Sequence, residues 1–310
     1  MSVEPPVAVP EALAASHRRY AEGAASRWLD DLPRLAQRCL ERWQLRLDGP
    51  AAHGVVALVL PVVRAGGDRA VLKLQPVDDE TRGEAAALRS WAGRGAVALY
   101  DHDPESGSML LERLDASRPL TGVEDDLAAA GVIAGLLARL NAVPPPAGLR
   151  QLDDVARATQ RTVPEALRQA VDPEERAVLR RCADRLAELL TEPVGNRLLH
   201  WDLHYGNVLA AADGSWRAID PKPLGGDPGF ELLPALGNRW DDATASGNPG
   251  SAALRRFDLM TEVLGLDRRR AAGWTLARVL QNACWDLGSL GAGTLRPEHR
   301  VIAEVLLSRR

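Results

Sequence analysis

Lysine is almost missing from this chain of 310 residues: of 38 basic residues only Lys73 and Lys222 are lysine, and the rest are arginine. Arginine therefore serves wherever positive surface charge alone is needed. A position that keeps lysine is a candidate for what arginine cannot supply, a compact ammonium on a narrow stem. Cysteine is scarce as well. Cys39, Cys182 and Cys284 are odd in number, widely spaced and outside any Cys-x-x-Cys, which argues against disulfides and a cysteine zinc site and fits reduced thiols. The formal charge is −4 with no block of basic residues, which argues against nucleic acid held by phosphate neutralisation. The longest apolar run, residues 54–63, is too short for a bilayer span. Residues 1–10 carry Glu4 and three prolines where a secretory signal carries a basic and then an apolar segment. A cytoplasmic chain with no membrane partner is the expectation. There is also no Gly-x-Gly-x-x-Gly and no Walker A sequence, so this is not a P-loop enzyme.

What is present suffices for a full core. The composition is 46% hydrophobic and 26% charged, and a chain of this length buries roughly 75% of its unfolded surface without staples. The length exceeds the ~150-residue domain prior, so two units are expected. The first forty residues read as helical, with Leu13, Leu29, Leu32, Leu35, Cys39 and Leu40 at helix spacing and Asp31 placed as an N-cap before Leu32-Pro33. The period then changes to that of strands at 43–48, 55–63 and 70–74, the last two joined by the turn Ala65-Gly66-Gly67-Asp68. A helix at 79–91 and strands at 96–100 and 108–111 follow. Helices are predicted at 125–143, 164–170 and 173–191, two short strands around a Gly206 turn within 197–222, and helices again from 252 to the end. The fold class is α+β: a small antiparallel sheet in an N-terminal lobe, residues 1–114, and a mostly helical C-terminal lobe, residues 115–310.

The informative stretch is Leu199-His200-Trp201-Asp202-Leu203-His204-Tyr205-Gly206-Asn207-Val208-Leu209, followed by Ala218-Ile219-Asp220-Pro221. Phosphoryl transfer asks a protein for divalent metal to neutralise the phosphates, a carboxylate to receive the hydroxyl proton, and a cation on the phosphates that stay behind. Asp202 and Asn207, five positions apart, can aim a base and a metal ligand into one cleft. Asp220, 18 positions after Asp202, supplies the remaining metal oxygen, a donor set that suits Mg²⁺.

These residues resemble the catalytic loop and metal-binding aspartate of the kinase-like phosphotransferases. The longer strings are similar to those of streptomycin 6-kinases and the related hydroxyurea phosphotransferases. They include Leu45-Arg46-Leu47-Asp48-Gly49, Ala70-Val71-Leu72-Lys73-Leu74-Gln75, Met109-Leu110-Leu111-Glu112-Arg113-Leu114-Asp115 and Ala271-Ala272-Gly273-Trp274. The resemblance implies a protein-kinase-like two-lobed fold and an ATP- and Mg²⁺-dependent phosphotransferase, with ATP in the cleft under the N-lobe and two Mg²⁺ ions. Asp202 would be the base, Asn207 and Asp220 the metal ligands, and His200 a structural pin for the loop. Lys73 would hold the α- and β-phosphates while pairing with Glu84, and the stretch from Glu112 to Leu114 would be the hinge that reads adenine. The acceptor implied is a small cationic antibiotic, most closely the 6-hydroxyl of streptomycin, taken by a monomer.

Other readings stay open at this stage. His200 and His204 alternate as zinc ligands on a strand would, although the remaining histidines lack matching spacing and Gly206 breaks the strand. Asp227 and Glu231 either line a pocket for a guanidinium-bearing acceptor or brace the loop after the metal site. Asp286 is an acceptor ligand or part of a solvated face, and Trp240 lines a pocket or sits in the core. Trp201 and Tyr205 stand where small-molecule kinases more often have Gly and Pro, which suggests an aromatic-lined acceptor pocket. Lys222 touches a phosphate or the acceptor, or is solvated. The turn from Asp48 to Gly54 is the one candidate phosphate-covering loop. The acceptor could also be hydroxyurea or a metabolite, and the chain could be a nucleotide-binding regulator without turnover.

Overall fold

The computed structural model describes residues 7–20, 24–290 and 295–309. The chain divides into two compact units: one runs to Gly93 and resumes over Val97–Leu114, the other holds Arg94–Ala96 and Asp115–Arg310. No helix among the described residues is long and apolar enough to cross a membrane.

The first unit opens with helices α1 (Glu11–Tyr20) and α2 (Ala24–Arg42). Strands β1 (Arg46–Leu47), β2 (Ala52–His53), β3 (Leu58–Val63) and β4 (Arg69–Leu74) follow, then helix α3 (Glu84–Trp91) and strands β5 (Leu99–His102) and β6 (Met109–Glu112). The sheet order is β1-β3-β4-β6-β5, with β2 paired to β3, and every pairing is antiparallel. Period-two alternation sends Leu58, Leu60 and Val62 of β3 and Ala70, Leu72 and Leu74 of β4 to one face, where they form a core with Leu13, Leu32, Leu35, Ala36 and Leu40 of the two helices. Lys73, one residue out of phase, belongs to the other face.

Two sequence expectations shift here. Helix α2 runs straight through Pro33, so Asp31 is an interior residue and not its N-cap. Proline lacks the N–H that would bond back to Leu29. Helix α3 begins at Glu84 and not at 79, because the Asp78 carboxylate accepts the N–H groups of Glu80 (2.8 Å) and Thr81 (2.9 Å) and holds the intervening residues in a turn.

The second unit contains strand β7 (Asp115–Pro119), helices α4 (Asp126–Leu140), α5 (Leu152–Gln169) and α6 (Pro173–Leu189), and strands β8 (Arg197–Leu199), β9 (Val208–Ala210), β10 (Trp216–Ala218) and β11 (Leu224–Gly226). Helices α7 (Leu232–Gly237), α8 (Trp240–Ala245), α9 (Pro249–Leu264), α10 (Arg268–Leu290) and α11 (Pro297–Ser308) complete it. Asp125 caps α4 by accepting the Ala128 N–H. Helix α5 starts twelve residues before the expected 164, since Pro164 lies inside it. Within 197–222 there are three strands, β8, β9 and β10, not two: β9 pairs with β7 and β10, and β8 pairs with β11, which follows that stretch.

Strand β11 is where α5 comes closest. A Cβ added at Gly226 would lie 2.5 Å from the Leu152 Cβ, and β8, its partner, leads directly into His200. Replacing Gly226 by alanine should therefore cost about 1–3 kcal/mol through overpacking, read by chemical denaturation. An unchanged midpoint would contradict this packing.

Candidate active site

In the first unit, Lys73 of β4 and Gln75 just beyond its end grip one carboxylate of α3. The Lys73 ammonium donates to both oxygens of Glu84, at 2.7 and 3.0 Å, and the Gln75 amide donates to Glu84 Oε2 at 2.5 Å. All three side chains are buried. Two residues apart, one on β4 and one just past its end, Lys73 and Gln75 reach the same helix. A charge taken out of water needs this kind of full pairing, and removing one partner of a buried pair typically costs about 3–5 kcal/mol. Glu112 ends β6, its carboxylate accepting the Ala98 N–H at 3.1 Å. Between Glu112 and the half-buried Leu114, the Arg113 guanidinium holds the Asp48 carboxylate at 2.5 Å.

In the second unit, the β9–β10 hairpin closes the sequence gap between Asn207 and Asp220. Val208 faces Ala218 in the ladder, and the Ile219 N–H continues it by donating to the Asn207 carbonyl at 2.9 Å, so Asn207 and Asp220 stand at the same end. The Asn207 side chain donates Nδ2–H to the Asp202 carbonyl (3.0 Å), which leaves its Oδ1 as the atom that can meet a cation. Asp220 has φ of +57°, a left-handed conformation that a non-glycine residue adopts at a cost of order 1–3 kcal/mol and that is common at functional sites.

His200 is fully buried and donates Nε2–H to the Ile219 carbonyl at 3.0 Å, pinning the loop to the residue before Asp220. Burial holds its pKa down to about 4, so the ring is neutral. Burial also lowers the pKa of His204, against the opposing field of Asp202 and with that of Lys222. The Lys222 ammonium lies 3.0 Å from Asp202 Oδ2, and the Lys222 N–H donates to the His200 carbonyl at 3.1 Å.

The loop is braced from below. Glu231, wholly buried, accepts the backbone N–H of His200 and, at 2.8 Å, that of Trp201 on Oε1, while Oε2 accepts Asn141 Nδ2 at 2.7 Å. Desolvation pushes its pKa up to about 7, and the three donors and the field of Arg278 act against that rise. Of its two anticipated roles Glu231 has the bracing one. Its oxygens are consumed inside the protein, which corrects its placement as an acceptor ligand. Asp227 is corrected likewise: it accepts the Gly229 N–H at 2.9 Å and pairs with Arg270 at 2.6 Å.

The aromatic lining is corrected too. Tyr205 is fully buried, with the Arg239 and Arg256 guanidiniums 5.6 and 5.8 Å from its ring and its pKa pushed up to about 12 by burial. Trp201, only 2% exposed, is sandwiched between Arg150 (4.5 Å) and Arg278 (4.8 Å) and anchors the loop. Trp240 opens α8 half-buried, and Asp286 is taken up by a two-point ion pair with Arg296 at 2.6 and 2.7 Å. No hydrogen bond or ring contact among the described residues joins Trp240 or Asp286 to the Asp202 loop. The sequence reading missed Gln75, Asn141 and the arginine pair. Gln75 was findable from strand parity, whereas the others depend on tertiary packing.

The donor set suits a hard divalent cation. No cluster of three or more His, Cys, Asp or Glu that could hold a metal is found among the described residues. One carboxylate and one amide oxygen are what Mg²⁺ requires when phosphates and water fill its remaining positions.

Residues 42–289 match the family model described as aminoglycoside/hydroxyurea antibiotic resistance kinase. The chain is 54% identical to a streptomycin 6-kinase of Streptomyces glaucescens over 99% of both chains. It is 52% identical to a hydroxyurea phosphotransferase of Kitasatospora aureofaciens, over 98% of this chain and 87% of that one. Among solved structures, a macrolide 2'-phosphotransferase of Brachybacterium faecium shares the fold with a TM-score of 0.57 at 18% identity, covering 91% of this chain and 99% of that one.

Glu231→Ala leaves two buried loop N–H groups without an acceptor, each costing about 1–3 kcal/mol. A lower melting temperature together with reduced kcat is expected in thermal unfolding and steady-state kinetics, and a variant as stable and active as the wild type would contradict the brace. Stability should also fall as pH drops from about 6.5 toward 4. His200 and His299 both have folded pKa values near 4, so in that window the unfolded chain binds two protons the folded chain refuses, against the single proton that buried Glu231, with its pKa near 7, takes up only when folded. Urea titrations at several pH values measure this, and a His299→Gln variant with the same slope would contradict it.

Proposed function

The chain belongs to the aminoglycoside/hydroxyurea antibiotic resistance kinases, and on that premise we propose that it transfers the γ-phosphoryl group of ATP to a hydroxyl of a small cationic antibiotic, the 6-hydroxyl of streptomycin. The observation that carries this reading is the tethering of Asp202, Asn207 and Asp220 to one another through the Asn207 side chain, the Ile219 amide and the His200 ring.

In the proposed reaction the acceptor hydroxyl loses its proton to Asp202 as its oxygen attacks the γ-phosphorus, and the bond to the β-phosphate oxygen breaks to release ADP. Asn207 Oδ1 and the Asp220 carboxylate hold Mg²⁺, which neutralises charge on the triphosphate. Neutral His200 keeps Asp220 and Asp202 on a common frame. Lys73, paired with Glu84, meets the α- and β-phosphates, and the backbone from Glu112 to Leu114 reads adenine. Streptomycin is favoured as acceptor by 54% and 51% identity to two streptomycin 6-kinases over 99% of the chain. Hydroxyurea is the second reading, favoured by the 52% identity to a phosphotransferase of that name.

Incubation with ATP, Mg²⁺ and either streptomycin, other aminoglycosides or hydroxyurea, read by mass spectrometry, should give one added phosphoryl group on streptomycin. Addition to hydroxyurea alone would overturn that acceptor. Asp202→Asn should lose about 10²–10⁴-fold in kcat with nucleotide affinity kept. Lys73→Arg should also be impaired, since a planar fork does not fit a point-charge position. Normal turnover by either variant would retire the role given to that residue.

A further inference from the structure

The side chain that touches the base most directly is the second of the chain's two lysines. We infer that Lys222 is a working residue of phosphoryl transfer: its ammonium fixes the Asp202 carboxylate before reaction and then takes up the charge of the transferred phosphoryl group. This rests on the reading of Asp202 as the base.

Three observations converge on it. The ammonium sits 3.0 Å from Asp202 Oδ2, and no hydrogen bond to Asp202 Oδ1 is seen among the described residues, so one carboxylate oxygen is held while the other can accept a proton. The Lys222 N–H donates to the His200 carbonyl (3.1 Å), two residues before Asp202, and buried Pro221 restricts the backbone between Asp220 and Lys222. Lysine and base are thus carried by one hydrogen-bonded frame. The side chains of Lys222 and Asp202 are 36% and 26% exposed. That leaves the pair open to reactants, in contrast to Lys73 and Glu84 at 7% and 2%.

Composition points the same way. In a chain that otherwise uses arginine for positive charge, both lysines bond a carboxylate of the proposed machinery. A guanidinium at 222 would present a wide planar fork to a carboxylate that must also admit an acceptor hydroxyl.

Charge accounting gives the ammonium a second task. When the acceptor oxygen–phosphorus bond forms and the bond to the β-phosphate oxygen breaks, the hydroxyl proton moves to Asp202 and cancels its charge. Lys222 then has no anion in Asp202, while the phosphoryl group now on the acceptor carries negative oxygens. The ammonium can pass from one to the other without being displaced by solvent.

The test compares Lys222→Met, Lys222→Arg and Asp202→Asn with wild type, measuring kcat, KM for ATP and calorimetric nucleotide binding. It includes Lys222→Cys before and after alkylation with 2-bromoethylamine, which rebuilds an ammonium at nearly the same reach. Lys222→Met should lose about 100-fold in kcat, with KM for ATP within about threefold. Lys222→Arg should recover only part of the loss. Alkylation of Lys222→Cys should raise its kcat at least about tenfold, the size expected for restoring one charged donor at a reacting centre. Wild type treated identically controls for Cys284, the one native cysteine that is not buried.

The treated and untreated cysteine variants share one folded chain, so their ratio reads the ammonium whatever the substitution does to stability. Equal rates before and after alkylation, or a Lys222→Met enzyme with wild-type kcat, would overturn the inference. If Lys222→Met is fully active while Asp202→Asn is dead, only the lysine assignment falls. If Asp202→Asn is also fully active, the base assignment falls with it.

Discussion

One buried carboxylate sets the backbone on which the chemistry of the second unit depends. Glu231 receives the N–H groups of His200 and Trp201, residues that precede Asp202 by two and one, and takes the side chain of Asn141 on its other oxygen. Desolvating a carboxylate is expensive, and the cost is offset by donors on both oxygens, two on Oε1 and one on Oε2. In return the backbone before the base acquires a fixed partner in the core. The left-handed backbone of Trp201, with φ of +69°, is held by the same bonds and by two guanidiniums over the indole. From this anchor, His200 reaches the Ile219 carbonyl and Asn207 reaches the Asp202 carbonyl, so the position of one acid sets that of the other.

Much of this was legible in the sequence where chemistry and periodicity are local. The apolar, β-branched runs announced β3 and β4 and put Lys73 mid-strand, and the spacing of Asp202, Asn207 and Asp220 picked out three residues that the β9–β10 hairpin and the hydrogen bonds of His200 and Asn207 tie together. The Asp213-Gly214 turn that lets β9 and β10 pair is a local signal of the same kind, with Gly214 at φ of +79°. What stayed hidden depends on distant partners. Glu231 lies some thirty positions after the N–H groups it serves, so nothing near it distinguishes a brace from a ligand. Pro33 and Pro164 each looked like a helix start, yet tertiary packing carries α2 and α5 through them. Tyr205 and Trp201 looked like pocket walls because size and aromaticity say nothing of burial.

The two units divide the electrostatic work. The first buries a lysine–glutamate pair almost completely, where salt screens it far less than a surface pair. The second keeps its lysine–aspartate pair partly open to solvent. In a chain that relies on arginine for its other positive charges, both lysines stand in a bond to a carboxylate, Glu84 in one unit and Asp202 in the other.

The central claim is that Asp202 accepts a proton and never a phosphoryl group. The most direct measurement is the stereochemistry of transfer from ATP made chiral at the γ-phosphorus with oxygen isotopes. A single in-line displacement with Asp202 as base predicts inversion of configuration in the phosphorylated acceptor. Net retention would require two displacements through a phosphorylated enzyme group and would contradict the account.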